Sequence, residues 1–108
     1  MADELVLHVY RATQGFPVEE RFGLQAQIRR AAVSVPTNVV EGCARRSTRD
    51  YLHFLVIALS SASEVRYLVG LAHRLGFLAP RAHTYLEAGY GDLLRAMEKL
   101  TASLDERL

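Results

Sequence analysis

Apolar residues along this chain recur at steps of three and four, the spacing that returns a side chain to one face of an α-helix. Leu5, Val9, Ala12 and Phe16 step by 4, 3 and 4, and Leu24, Ile28, Ala31, Val35, Val39 and Gly42 continue in the same manner. Tyr51, Leu55, Ala58, Ala62, Val65, Val69 and Ala72 alternate the two steps without a slip. So do Leu86, Tyr90, Leu93, Met97, Leu100 and Leu104. A sustained period near 3.5 residues is the seam of helices packed at shallow angles. Runs of alternating polarity with hairpin turns do not occur, so no strands are expected.

The punctuation sets the limits of these helices. Gly15 suits a left-handed cap on the first helix, and Pro17 suits the first turn of the next. Glu19 and Glu20 then fall near the positive end of that helix's dipole. Ser47 with Asp50 resembles a capping box in which Asp replaces the usual Glu. Gly76 can stop the third helix and Pro80 can start the fourth. Four helices are expected, at roughly 2–14, 18–45, 48–75 and 80–106. Short connections imply antiparallel neighbours, so residues 1–108 are read as one all-α domain, an up-down-up-down four-helix bundle.

Pro36 falls inside the second helix. It removes a backbone donor and crowds the carbonyl of Ala32, a cost of roughly 3 kcal/mol in an isolated helix. The apolar spacing nevertheless resumes in phase beyond it, and no glycine lies between Gly23 and Gly42. A kinked but continuous helix is therefore expected. Ser34, Thr37 and Asn38 are available to satisfy carbonyls freed at the kink. On the alternative reading, Ser34, Asn38, Glu41 and Arg45 share one face that meets a neighbouring subunit.

The third helix is apolar on nearly every side over Tyr51–Leu59. A bundle seam needs about three apolar positions per heptad. The excess predicts either a broad internal core or a subunit interface, to which Tyr51 and Phe54 would contribute. The first helix is about half as long as the others, so it leaves their far end in need of another cover.

Composition narrows the function classes. Half of the 108 residues are hydrophobic and 23% are charged, as in a soluble globular protein, and the net charge is +1. Twelve of the 13 basic residues are arginine, the residue suited to bidentate contacts with carboxylate or phosphate. Between Arg29 and Arg49, Arg29, Arg30, Arg45, Arg46 and Arg49 stand against Glu41 alone, a local net of +4. These five arginines are the candidate nucleic-acid contacts, acting on phosphate rather than stacking on bases. As a plain alternative, a basic turn matches the C-terminal dipole of the second helix.

Cys43 is alone, which excludes an intrachain disulfide and a cysteine zinc cluster. The first ten residues lack a basic signal-peptide start. The apolar run FLVIALSSA is shorter than the roughly 20 residues of a membrane span. A cytoplasmic protein with no membrane partner is expected.

Catalytic and metal motifs are scarce. A di-iron bundle needs Glu-x-x-His pairs, whereas only Asp50-x-x-His53 comes near, and His-Glu-x-x-His is missing too. Arg46 with His53, and Arg66 with His73, have the spacing some helical ribonucleases use. Chance produces as many such pairs in so arginine-rich a chain. Neither a Glu-x-x-Glu magnesium cluster, a phosphate-binding glycine loop nor a nucleophile elbow occurs. No enzyme activity, metal, cofactor or small-molecule substrate is expected. The ribonuclease remains an alternative, as does a purely structural protein–protein adaptor.

The stretch RFGLQAQIRRAAVSVPTNVVEG, followed by YLHFLVIALSSASEVRYLVGLAHRLGFL, resembles the four-helix-bundle family named for 23S rRNA intervening sequences. The likeness runs from about Leu5 to the C-terminus. It implies a homopentamer related to the accessory protein of diversity-generating retroelements, which binds a reverse transcriptase and nucleic acid. It implies no enzymatic activity. The resemblance also implies that members usually carry a longer start, with an aromatic and basic segment ahead of the equivalent of Glu4, so this chain is expected to begin inside the corresponding helix. The combined expectation is a non-enzymatic, homopentameric module that binds RNA or an RNA-handling protein through its arginines, with Ser34, Asn38, Glu41, Tyr51 and Phe54 between subunits.

Overall fold

The computed structural model describes all 108 residues and contains four α-helices: α1 (Ala2–Thr13), α2 (Leu24–Cys43), α3 (Thr48–Arg74) and α4 (Pro80–Asp105). The chain has no strand. Each helix packs on its neighbours in sequence, and α1 also meets α4, which closes the ring into a four-helix bundle. Gln27 meets Glu64 and Ser34 meets Ser61. Gly42 lies against Tyr51 and Phe54. Positions on α2 thus rise as their partners on α3 fall.

The helix ends follow from local chemistry. Ser47 caps α3 by accepting from the Asp50 amide at 3.1 Å, which is one half of a capping box. Gly76, at φ +80°, ends α3. The Phe77 amide donates to the Ala72 carbonyl and the Gly76 amide to that of His73, which together form a Schellman motif. Pro80 opens α4 at its first turn, where its missing N–H is not needed.

Two expected boundaries are corrected. Gly15 does not adopt the left-handed conformation, and Gly76 is the one residue with positive φ. The helix expected from residue 18 begins instead at Leu24, because Val18–Glu20 form only one 3-10 turn and Gly23 leaves helical geometry at φ −103°, ψ −112°. Glu20 then serves α2 from outside, its carboxylate accepting from the Leu24 amide at 3.1 Å.

α2 runs through Pro36 as a single helix. The neighbouring polar groups bond carbonyls just beyond the one proline deprives. Thr37 donates to the Val33 carbonyl at 2.7 Å and Asn38 to the Ser34 carbonyl at 2.8 Å, while the carbonyl facing the proline ring is that of Ala32.

The core is built almost wholly from the apolar seams. Val9, Ile28, Val35, Val65, Val69 and Leu86 are all at most 1% exposed. Glycine leaves room for a close approach at two crossings. A Cβ on Gly42 would stand 2.9 Å from the Tyr51 ring, and one on Gly89 would strike the Leu5 side chain. α3 is, by length and composition, apolar enough to cross a membrane, more than its longest uninterrupted run suggests, yet only 33% of that window is buried within the chain. Leu55 and Ala58 are in the core, whereas Val56 and Ile57 are 48% and 37% exposed. The internal core therefore takes up part of the apolar excess of α3 and leaves Val56 and Ile57 at the surface.

Candidate interaction surface

The five arginines fall into two groups. Arg29 is the most engaged. Its Nε donates to the Thr13 hydroxyl at 2.9 Å, one terminal nitrogen donates to the Tyr10 carbonyl at 3.1 Å, and the guanidinium lies 4.6 Å from the centre of the Tyr10 ring. Thr13 is 1% exposed and donates in turn to the Val9 carbonyl at 2.9 Å. Gln25 donates to the Thr13 carbonyl at 2.8 Å. Arg29 and Gln25 thus satisfy the C-terminal end of α1, where carbonyls lack helical partners. Arg30, one position on, is exposed and forms no ion pair.

The second group surrounds the α2–α3 turn, fifteen residues and so about 22 Å farther along the helix. Arg45 pairs with Glu41 at 3.1 Å and lies 4.7 Å from the Phe54 ring centre. Both ion-pair partners are about half exposed, which limits the pair to well under about 1 kcal/mol. Arg46 and Arg49 are exposed and have no acidic partner.

The candidate interface residues have partners inside the chain. The Ser34 and Ser61 hydroxyls are 2.8 Å apart across the α2–α3 contact, and Asn38 also donates to the Ser34 hydroxyl at 3.0 Å. Tyr51 and Phe54 are half-buried and lie against Gly42 of α2.

An open groove of about 910 Å³ follows the α1–α2 face. Arg29, Arg30, Ser34 and Asn38 line it, which brings part of the expected arginine set together with part of the expected interface set. Tyr10, Arg21 and Phe22 complete its basic and aromatic end and were not among the expected contact residues. Phe22 is 89% exposed. Expected within a helix from residue 18, it falls instead in the turn before α2.

Elsewhere, Arg66 donates to Glu87 at 2.8 Å and rests over Gly91, so of the Arg66–His73 pair the arginine is tied to α4. His73 stacks on His83, the ring centres 4.1 Å apart. Asp50 and His53 are exposed, with His53 edge-on to Phe54. No three His, Cys, Asp or Glu side chains gather closely enough to hold a metal ion.

A solved structure shares this architecture. It is a crystal structure of a protein of unknown function from the S23 ribosomal protein family of Bacteroides thetaiotaomicron VPI-5482. It superposes with a TM-score of 0.85, covering 94% of this chain and 91% of that one at 20% identity. No curated protein matches in sequence. The family model for the 23S rRNA-intervening sequence protein matches residues 1–99. With nearly the whole bundle covered by that match, the chain belongs to the 23S rRNA-intervening sequence protein family.

Proposed function

We propose that this chain is a non-enzymatic, homopentameric interaction module of the cytoplasm that binds RNA, or a protein that handles RNA, through the arginines of α2 and the α2–α3 turn. The observation that carries this reading is the end of the bundle at that turn. α1 meets α4 at Leu5–Gly89 and α2 at Tyr10–Arg29, so its 12 residues do not extend over that end. Val40 of α2 is 69% exposed there, and Val56 and Ile57 of α3 are 48% and 37% exposed. Exposed apolar residues next to charge are the composition of a protein–protein contact. Arg46 and Arg49, free of acidic partners, stand on the same end. A ring of subunits would repeat that positive charge around its axis.

The Glu41–Arg45 pair sits beside Val40 and would form the polar margin of the proposed subunit contact. A salt titration of binding to a structured RNA tests the nucleic-acid half. Affinity is expected to fall steeply as salt rises, and replacing Arg46 and Arg49 by alanine should lower the slope by about one for each phosphate left without its arginine. Absence of binding at low salt contradicts the RNA reading.

A further inference from the structure

The groove on the α1–α2 face has a chemistry of its own. Arg21, Arg29 and Arg30 line it, and no Asp or Glu does. Glu20, close by in sequence, is turned to the Leu24 amide instead. Arg29 is fixed by uncharged groups, the Thr13 hydroxyl and the Tyr10 carbonyl, so its charge stays uncompensated by any carboxylate. Beside these cations, Phe22 presents a ring that is 89% exposed. Gln25 and Asn38 use their amide N–H groups on the Thr13 and Ser34 carbonyls, which leaves side-chain carbonyl oxygens as acceptors in the groove.

Planar cations, a free aromatic face and amide acceptors together match one ligand class. A single-stranded polynucleotide offers phosphates, open base faces and hydroxyl or amino donors at once, whereas a duplex hides its base faces. An acidic peptide would meet the arginines but would leave the stacking face of Phe22 without a planar partner. We propose that this groove binds single-stranded RNA, with a base stacked on Phe22 and phosphates on Arg21 and Arg30. The inference rests on the RNA-binding reading and adds to it a second contact region remote from the α2–α3 turn.

Fluorescence anisotropy with a labelled oligouridylate of about 12 nucleotides, set against an RNA duplex of the same length, tests it. Phe22→Ala is expected to weaken oligouridylate binding about tenfold or more and to leave duplex binding unchanged, while Phe22→Tyr restores the wild-type value. Equal oligouridylate affinity for wild type and Phe22→Ala overturns the groove assignment. If duplex RNA still binds, the broader RNA reading survives; if neither RNA binds, both fall. Oligothymidylate bound as tightly as oligouridylate overturns the assignment to RNA. A polyglutamate peptide that binds through Phe22 where oligouridylate does not assigns the groove to protein. A smaller particle mass for Phe22→Ala assigns the ring to a subunit contact and likewise overturns the proposal.

Discussion

Tyr90 stands in the core at 1% exposure, and no group of the protein bonds its hydroxyl. Burial pushes the phenol well above its ordinary value of 10.0, because the phenolate would lose its hydration. Below pH 10 the side chain is neutral folded and unfolded, so the full stability is present. Above it the unfolded chain ionises first, and stability is lost as pH rises. Tyr90→Phe removes an unanswered hydroxyl and the titration together. It should raise stability by about 1 kcal/mol at neutral pH and flatten the alkaline decline, read by thermal melts across that range. A lower melting temperature would show that the hydroxyl has a partner. Most of the core was legible residue by residue, since spacing alone selected Val9, Ile28, Val65 and Leu86. Leu100 sits on the same seam yet is 40% exposed, because covering a residue depends on the length of other helices. Thr13 could not be recognised as core, because its partner Arg29 is sixteen positions away and meets it only once α1 and α2 are packed.

Elements were legible where local chemistry decides them. The caps at Ser47, Gly76 and Pro80 mark real helix ends, each fixed by a few bonds within one turn. The start of α2 was not legible, since Pro17, Glu19 and Glu20 give the same signal for one 3-10 turn as for a long helix. The backbone of Gly23 decides between them. Gly42 shows what the Glu-Gly pair at the end of α2 does: its missing Cβ lets Tyr51 and Phe54 close on the helix. Gly42→Ala gains about 1 kcal/mol of helix propensity and introduces overpacking of about 1–3 kcal/mol. A net loss of about 1 kcal/mol is expected, seen as a lower urea midpoint at unchanged slope. A raised midpoint would mean that the first turn of α3 yields freely and that the close approach is incidental.

At the scale of the whole molecule, one short helix leaves part of the bundle's length uncovered. The bundle extends 45 Å along its long axis, and a 12-residue helix covers only about 18 Å of it. α1 packs on α2 and α4 and not on α3, so its shortness bears on the exposed Val40 of α2, whereas Val56 and Ile57 are exposed on a helix it does not touch. The excess of apolar residues on α3 already marked that helix in the sequence. Where the site residues lie was less legible. The arginines are close in sequence, but a helix separates Arg30 from Arg46 along its length, and the groove draws Tyr10, Arg21 and Phe22 from α1 and the turn before α2. Particle mass in solution, measured by light scattering after size exclusion, tests the proposed assembly most directly. A particle of about five times the 12.1 kDa chain is expected from a closed ring of identical subunits. A monomer of 12.1 kDa at micromolar concentration would contradict it.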